Sequence, residues 1–395
     1  MTTIAADATI KKPGLSKGKK SQLVAKENVI KYRKLGNTGM EVSCIGLGCV
    51  QIGSSRKEYA VQVVRRALEL GVNYFDSARM YWGSEINLGA GLKGEREKVY
   101  VSSKTIAKTR EEAWQHLNES LERLQSDYLD NYHLHNLVDT EDVELRLGPG
   151  GALEALVEAK AKGLIRHIGC TSHRSDILLE ALQQFDFEII LIPMNIIERE
   201  PLDRLIPVCL ERGIGISIMK PVATGLLPSP LALKWLLNQP IATAVPGATT
   251  VEEVEENSLV GHIEDPTLTS IELEEVARLA GKLEHVRCRI CYDCEPCPVG
   301  IPIGLTLGTD VVYDHYRTMG QAAFASFPWH QERVQGDSEK RREVIRQIEA
   351  CDNCGLCEER CSYGLPVISL LKAMVPSMKD MLRIWSEQGL LPQKT

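Results

Sequence analysis

Long hydrophobic runs are missing from this chain. No apolar stretch approaches the roughly 18 residues that a membrane-spanning helix needs, and the longest, such as 189–194, have the length of a strand. A general excess of basic residues is also missing, because 53 Asp and Glu outnumber 46 Lys and Arg, for a net charge of −7. These absences exclude a membrane-spanning protein and leave no general footprint for nucleic-acid binding.

Cysteine is scarce through most of the chain. The first 287 residues contain four cysteines, and the other eight of the 12 lie between Cys288 and Cys361. The early ones lie in strand or helix patterns and are expected to be small core residues: Cys44, Cys49, Cys170 and Cys209. With 44% hydrophobic residues over 395 positions, the composition is that of a globular protein with one large domain and an appendage. The appendage is the part that requires thiols.

The first 28 residues have no Arg and no apolar segment, although they contain six Lys. A transit peptide is normally rich in Arg and a signal peptide needs an apolar core, so neither is expected. We predict a disordered basic tail over 1–28 and, by default, a cytoplasmic protein.

Residues 29–285 alternate short apolar runs with longer amphipathic segments, which is typical of β/α units. Eight runs are expected to be strands: 43–48, 72–75, 98–103, 128–134, 166–170, 187–193, 215–219 and 241–245. Helical patterns, such as 110–124 and 200–212, lie between them. The pattern predicts an α/β fold, a (β/α)8 TIM barrel, rather than an open doubly wound sheet. A preceding hairpin with turn residues Asn37 and Gly39 is expected to plug the barrel floor.

A glycine-rich segment at 89–94 matches G-x-G-x-x-G but is not expected to bind a dinucleotide. It ends a helical pattern and precedes a strand, whereas the dinucleotide motif follows a strand and opens a helix.

Polar residues stand at the ends of three successive predicted strands, where the catalytic residues of a barrel lie. Asp76 ends the second strand, with Tyr81 in the loop that follows it. Lys104 ends the third strand and His135 the fourth. Each alone suits a structural role, as a turn cap, a half-buried aromatic, a solvated strand end or a core histidine. Together they place a carboxylate, a phenol, an ammonium and an imidazole at one mouth.

This set suits proton donation to a carbonyl. Tyrosine has an ordinary pKa of about 10, and the Lys104 ammonium would lower it so that Tyr81 can act as the acid. Asp76 would hold Lys104 charged, and His135 would hydrogen-bond the carbonyl oxygen as negative charge develops. The nearby His133 is expected to point to the other face of its strand and to pack.

The segments around these residues resemble the aldo-keto reductase family. They are FDSARMYWGSE (75–85), KVYVSSKT (98–105), LDNYHLHN (129–136), GLIRHIGCTSH (163–173), MKPVATGLL (219–227) and VPGATTVEEVEEN (245–257). The resemblance implies NAD(P)H-dependent reduction of an aldehyde or ketone by hydride transfer. The acid-base tyrosine of the family falls on Tyr81, and its partners fall on Asp76, Lys104 and His135.

The resemblance also implies a nicotinamide cofactor, NADP or NAD. The matching positions are Thr171, Ser172, Lys220, Gly247, Thr249, Glu256 and Asn257. The first two would hold the carboxamide, Lys220 would face the pyrophosphate, and the last two would contact the adenine. Glu253 stands where NADPH-preferring relatives carry an arginine for the 2′-phosphate, and a carboxylate repels that group, so both nucleotides are considered.

The late cysteines form two groups of similar spacing. Residues 288–298 read C-x2-C-x2-C-x2-C-P and 351–361 read C-x2-C-x2-C-x3-C. Each group is followed by a similar tetrapeptide, GIPI at 300–303 and GLPV at 364–367. Three cysteines at successive x2 spacings are typical of an iron-sulfur cubane. A zinc site and disulfides are the alternatives. A zinc site usually has two C-x2-C pairs separated by a dozen or more residues, and disulfides need an oxidising compartment.

The two groups resemble a bacterial two-cluster ferredoxin, with residues 304–350 as an insert. The resemblance implies a small ferredoxin-like iron-sulfur domain over 286–395 that carries two [4Fe-4S] clusters. Crossed ligation would use Cys288, Cys291, Cys294 and Cys361 for one cluster and Cys297, Cys351, Cys354 and Cys357 for the other. Ser362 replaces the proline that normally follows the last cysteine.

Two functions remain open. In the first, the chain reduces a small carbonyl compound, and the iron-sulfur domain is structural or docks a redox protein. In the second, the chain transfers electrons or senses redox state, and its barrel binds nicotinamide nucleotide without turning over carbonyls. The four residues at the strand ends favour the first function. Neither a nucleic-acid partner nor a membrane span is expected.

Overall fold

The strands form a two-stranded hairpin and an eight-stranded parallel sheet in this computed structural model, which describes residues 29–308 and 328–387. The hairpin pairs β1 (Tyr32–Lys34) with β2 (Glu41–Ser43). The sheet consists of β3 (Leu47–Gly48), β4 (Tyr74–Asp76), β5 (Tyr100–Thr105), β6 (Leu129–Leu134), β7 (Ile165–Thr171), β8 (Ile189–Pro193), β9 (Gly215–Met219) and β10 (Thr243–Ala244). Each strand of the sheet pairs with the next one in chain order.

The parallel sheet closes on itself. Isolated parallel bridges join Ile45 to Ala244 and Gly48 to Gly247, and the Gly46 amide donates to the Ala244 carbonyl at 2.9 Å. These bonds connect the first and last strands of the sheet. The fold is therefore the predicted (β/α)8 barrel.

The hairpin covers the amino-terminal end of the barrel. Leu35, Met40 and Val42 pack against the interior strand residues Ile189 and Leu191. This apolar contact removes the floor residues from water, as the sequence predicts.

Helices cover the outer face of the strands. They are α1 (Lys57–Glu69), α2 (Ser84–Gly91), α3 (Arg110–Leu124), α4 (Thr140–Leu147), α5 (Ala152–Ala161), α6 (Ser175–Gln184), α7 (Leu205–Arg212), α8 (Ser229–Leu237), α9 (Val251–Val260) and α10 (Ser270–Leu283). Apolar residues at helical spacing face the strands, as Ala60, Val63 and Ala67 of α1 do. The predicted helix 200–212 is interrupted: a 3₁₀ turn at Glu200–Leu202 precedes α7.

The glycine-rich segment and the early cysteines lie as the sequence predicts. The glycine-rich segment 89–94 lies at the end of α2, so it has no place at the start of a dinucleotide-binding helix. The four early cysteines are all buried.

The part of the chain after α10 has its own apolar cluster. Its helices are α11 (Ile303–Gly308), α12 (Pro328–Glu349), α13 (Leu356–Glu359) and α14 (Val367–Glu387). Ile303, Ile348, Val367 and Leu371 are buried together there. The described residues after α10 contain helices and loops but no strand, and a ferredoxin-like fold stays a prediction.

The predicted tail 1–28 and residues 309–327 of the predicted insert lie outside the described residues. Among the helices that are described, none has the length and apolar character needed to cross a membrane.

Candidate functional site

A buried ion pair lies at the carboxyl ends of β4 and β5. Lys104 Nζ donates to Asp76 Oδ2 at 2.7 Å and to the Ser77 carbonyl at 2.6 Å. Asp76 is 5% exposed and Lys104 1% exposed. Because two charges held away from water need close mutual contacts, these bonds are what allow the pair to stay buried.

The Tyr81 ring lies beside this ion pair. Lys104 Nζ is 5.2 Å from the centroid of the ring, and the His135 ring meets it edge-on with centroids 5.6 Å apart. The loop between β4 and α2 holds Tyr81 in a turn, since its amide donates to the Ala78 carbonyl at 2.9 Å. The fold thus brings the four residues singled out at the strand ends into one group.

The pKa values in this group are shifted by burial and by Lys104. Burial raises the pKa of Tyr81, and the Lys104 ammonium acts in the opposite direction. Burial alone would lower the pKa of Lys104, but Asp76 and Tyr81 outweigh it and hold that pKa above its ordinary value. Burial, with Lys104 and Arg146, holds the pKa of His135 well below its ordinary value. The group therefore combines a protonated phenol, a cation and a neutral imidazole at neutral pH.

His133 corrects one expectation. Side chains two residues apart on a strand point to the same face, so His133 does not lie on the face opposite to that of His135. It is paired in register with Lys104 and Gly169, and a Cβ on Gly169 would come within 2.2 Å of the His133 Nδ1. Burial lowers the pKa of His133 to about 3. The side chain does pack, as expected, but on the face that carries Lys104.

Two buried charged residues that sequence reasoning missed support the group. Arg146 of α4 donates to the carbonyls of His135 at 2.9 Å and Thr105 at 2.8 Å. Glu85 of α2 accepts a 2.6 Å hydrogen bond from the Ser103 hydroxyl, next to Lys104. Charged residues on amphipathic helices are normally expected at the solvent face, so no local signal marks these two.

Thr171 and Ser172 lie at the end of β7 and already make backbone contacts. Thr171 Oγ1 accepts from the Asn136 amide at 2.7 Å, and Ser172 Oγ donates to the Leu137 carbonyl at 2.6 Å. These bonds fix the loop that carries His135 to the end of β7.

Two further predicted cofactor positions, Gly247 and Thr249, follow β10. A Cβ on Gly247 would come within 2.0 Å of Gln51 Oε1, so only glycine fits there without a shift of that side chain. Glu253 Oε2 accepts from the Thr249 amide at 2.7 Å, which engages its carboxylate at the start of α9.

The two predicted adenine positions lie on different faces of α9. Asn257 is buried and its Oδ1 accepts a hydrogen bond from the Ser229 hydroxyl, whereas Glu256 is exposed. Neighbouring helix residues point about 100° apart, so one ligand would not face both side chains equally.

Lys220 lies where the barrel meets the segment after α10. Its backbone is left-handed, with φ of +52°, which is uncommon for a residue with a side chain. Burial lowers the pKa of Lys220 to about 8; Glu198 opposes the shift and Arg287 adds to it. Arg287 is 6% exposed and pairs with Glu198 at 3.6 Å.

The late cysteines surround two neighbouring cavities. One cavity is lined by Cys297, Cys351, Cys354 and Cys357, the other by Cys288, Cys291 and Cys361, and Cys294 borders both. All 12 cysteines are free thiols. Over residues 29–308 and 328–387, no three or more His, Cys, Asp or Glu side chains are grouped so as to hold a metal ion.

The two cysteine loops share one backbone conformation. The residues on either side of the second cysteine have positive φ in both loops, +59° and +65° at Ile290 and Tyr292, and +61° and +82° at Asn353 and Gly355. Each loop is followed by a glycine of positive φ and then by a helix, α11 or α14. The repeat in the sequence is therefore also a repeat in the backbone.

The first cysteine loop is bonded to the carboxyl-terminal mouth of the barrel. Arg174, which follows β7, donates from Nη1 to Asp293 Oδ1 at 2.9 Å. Asp293 Oδ2 accepts a 2.6 Å hydrogen bond from Ser362, the residue that replaces a proline. Asp293 thus joins both cysteine loops to the barrel.

The comparisons with known proteins agree with the barrel fold. The sequence profile of the Aldo/keto reductase family matches residues 44–230. L-galactose dehydrogenase of Arabidopsis thaliana is 30% identical over 310 residues, which are 65% of this chain and 96% of that protein. The chain belongs to the aldo/keto reductase family. It is an oxidoreductase of that family.

Other relatives of this aldo/keto reductase match between half and two thirds of the chain. The uncharacterized oxidoreductase YqkF of Bacillus subtilis is 28% identical over 212 residues, 50% of this chain and 67% of that protein. Aldo-keto reductase AKR11C1 from Bacillus halodurans, in its holo form, is 28% identical with a TM-score of 0.56 and covers 64% of this chain and 96% of its own. The family match ends at residue 230, so the cysteine loops lie beyond it.

Proposed function

We propose that this aldo/keto reductase uses NAD(P)H to reduce an aldehyde or ketone, with Tyr81 as the general acid. The proposal depends on one observation above all: the Lys104 ammonium is bonded to Asp76 at 2.7 Å and lies 5.2 Å from the Tyr81 ring. A phenol beside a fixed cation can release its proton at a lower energetic cost, because the cation stabilises the phenolate that remains.

The nicotinamide, when bound, supplies the hydride to the carbonyl carbon. Tyr81 donates its phenolic proton to the carbonyl oxygen, and Lys104 stabilises the phenolate until solvent returns the proton. Asp76 keeps Lys104 charged and in position. The neutral His135 imidazole donates a hydrogen bond to the same oxygen as its negative charge develops.

NADP or NAD is the cofactor that we propose, held by the positions named for it above. Solved structures of an aldo/keto reductase from Klebsiella pneumoniae contain NADP or NADPH, but at 23% and 24% identity they show a common fold only. The Glu253 carboxylate accepts a hydrogen bond from the Thr249 amide. By the family resemblance it stands at the 2′-phosphate position, where its negative charge would disfavour NADPH. Both nucleotides therefore belong in every assay.

The Tyr81→Phe variant tests the reductase proposal. With a panel of aldehydes and ketones, it is expected to lose NAD(P)H oxidation by about 100-fold or more, because general acid catalysis is worth that much. Nucleotide binding, measured by fluorescence titration, should be unchanged. The exposed Tyr59→Phe serves as the matched control and should keep full activity.

The panel should also be run in reverse with sugars and NAD(P)⁺, because one relative is named as a dehydrogenase of L-galactose. Equal rates for the Tyr81→Phe and Tyr59→Phe proteins would overturn the proposal. If both variants and the unmodified chain bind nucleotide but turn over no substrate, an electron-transfer or redox-sensing role would be favoured.

We further propose that the cysteine loops hold two [4Fe-4S] clusters. The thiols that line the cavities support this group, although none of the described ones are grouped so as to hold a single metal ion. Each cavity is bordered by three cysteines of one motif and the last cysteine of the other, as crossed ligation implies, and Cys294 borders both cavities. The Ile290 and Leu365 amides donate to the Cys288 and Cys361 sulfurs at 3.4 Å, and such bonds stabilise thiolate ligands. Free thiols of this kind persist in the cytoplasm, the location that we propose.

The two sites can be named by their position. The barrel-side cysteine site comprises Cys288, Cys291, Cys294 and Cys361, and the outer cysteine site comprises Cys297, Cys351, Cys354 and Cys357. Iron and acid-labile sulfide analysis of protein purified without oxygen should find two [4Fe-4S] clusters per chain. Cys288→Ser should remove one cluster, whereas Cys209→Ser in the barrel core should remove neither. Stoichiometric zinc without iron would refute the assignment.

A further inference from the structure

Arg287 is a buried cation next to the barrel-side cysteine site. It directly precedes Cys288 in the chain, and the half-buried Arg289 lines the same cavity. The charge of the half-buried Lys220 also acts on the Cys288 sulfur. Arg287 is 6% exposed, and its Nη2 has no hydrogen-bond partner within residues 29–308 and 328–387. In the described part of the chain its one ion pair, with Glu198, is long at 3.6 Å. Much of its charge is therefore available to the sulfur atoms.

Three carboxylates also lie near this site. Asp293 is bonded to Arg174 at 2.9 Å, Glu198 faces Arg287 at 3.6 Å, and Glu295, beside Cys294, accepts from the Gly304 amide at 2.8 Å. Arg287 is the charged group that is buried directly beside a cysteine with part of its guanidinium unpartnered among the described residues.

The outer cysteine site has a different environment. Asp352 lines its cavity, Glu358 follows Cys357, and Cys354 is exposed. The Lys372 ammonium, bonded to Asn353, is also exposed, and water and salt screen such a charge far more than a buried one. The described residues that line this cavity include no cation.

We propose that Arg287, with Lys220, stabilises the reduced state of the cluster in the barrel-side cysteine site, so that an electron entering through the outer cysteine site is held next to the barrel mouth. The proposal rests on the two clusters proposed above. A one-electron donor, such as a small redox protein docking near Cys354, would supply the electron.

The charge balance explains the direction of this effect. A [4Fe-4S]²⁺ core with four thiolates carries a net charge of −2, and one added electron makes it −3 without forming or breaking a bond. A neighbouring cation lowers the energy of the −3 state more than that of the −2 state, and so raises the reduction potential. Solvent exposure favours reduction of the outer cluster, but a buried positive charge acts at shorter range and through a lower dielectric.

An EPR-monitored redox titration of the full chain, reconstituted without oxygen and reduced stepwise with dithionite, tests the proposal. Two midpoint potentials are expected, with the barrel-side cluster reduced first. The Cys288→Ser protein identifies the signal of the outer cluster. Arg287→Gln should lower the midpoint of the barrel-side cluster alone, and Arg287→Lys, which keeps the charge, should restore it.

Two further variants separate an effect of charge from loosened structure. Glu198→Gln removes the carboxylate that offsets the cations and should raise the same midpoint. Arg278→Gln, at an exposed arginine of α10, makes the same change of charge and should shift neither midpoint.

The outcomes distinguish this proposal from the one it rests on. Absence of iron would refute the clusters themselves. With both clusters present, unchanged midpoints or equal shifts of both in Arg287→Gln would overturn the role of Arg287. A tenfold loss of nucleotide affinity in Arg287→Gln with unchanged midpoints would assign the cations to the pyrophosphate instead and would also overturn it.

Discussion

Single residues set the charge balance at the barrel mouth, where Lys104 contacts Asp76 and stands beside the Tyr81 ring. Burial raises the pKa of Tyr81 and Lys104 opposes that shift, while Asp76 acts in the same direction as burial. Removal of the ammonium would therefore leave two effects that both raise the pKa of the phenol.

The Lys104→Met variant follows from this balance. Carbonyl reduction needs a protonated Tyr81, so the rate should fall as pH rises through the pKa of that residue. Without the ammonium this fall should move to higher pH, and kcat/KM near neutral pH should drop by about 100-fold. Rate measurements across pH, with the exposed Lys98→Met as control, check both points. If the fall in rate at high pH stays in place or moves to lower pH in Lys104→Met, the role assigned to Lys104 would be contradicted.

Among the secondary-structure elements, the hairpin of β1 and β2 depends on a close backbone contact. Gly36 has φ of +56°, and a Cβ there would lie 2.3 Å from the Gly215 amide nitrogen and 2.5 Å from the Gly213 carbonyl oxygen. Backbone atoms cannot move aside as a flexible side chain can. Gly39 in the same hairpin has φ of +79° but open space around it.

The pair Gly36→Ala and Gly39→Ala separates these two effects. Gly39→Ala should lower the free energy of unfolding by about 1 kcal/mol through backbone strain alone. Gly36→Ala should lower it by about 2 kcal/mol or more, since the hairpin must also shift away from the barrel floor. Urea unfolding followed by circular dichroism measures both. Equal losses would show that the contact with residues 213–215 is unimportant.

At the scale of the whole molecule, Asp293 connects the cysteine loops to the barrel through Arg174 and Ser362. The Arg174 and Asp293 side chains are 31% and 26% exposed, so the pair is partly shielded from solvent. A charge-assisted bond in that environment contributes about 1–2 kcal/mol.

Loss of that bond should loosen the docking of the loops and leave the barrel folded. In Asp293→Asn, amide exchange of residues 286–300 should rise about 5- to 30-fold, which corresponds to that energy. Exchange in β5 and β6 should be unchanged. Asp186→Asn, which removes the carboxylate of the exposed pair with Arg212, is the matched control and should show no such effect. If amide exchange of residues 286–300 were the same in Asp293→Asn, Asp186→Asn and the unmodified chain, the proposed docking would be contradicted.

Much of the barrel could be predicted because strand and helix periods are local properties of the sequence. The strand ends placed Asp76, Lys104 and His135 on one rim, and the structure groups them with Tyr81. His133 shows where the reasoning was wrong, since its face follows from the strand period. Arg146 and Glu85 could not be predicted from the sequence. A charged residue on a helix faces the core only when a buried polar group pairs with it, and these partners come from other segments of the chain.

The sequence by itself determined the (β/α)8 barrel, the polar residues on its rim and the two cysteine motifs with their repeated tetrapeptides, because each depends on residue type and short spacing. Only the tertiary structure decided that the first cysteine loop lies against the barrel mouth. Arg174 and Asp293 are 119 residues apart in the chain, and their contact depends on how two separate apolar cores pack, which no local pattern records.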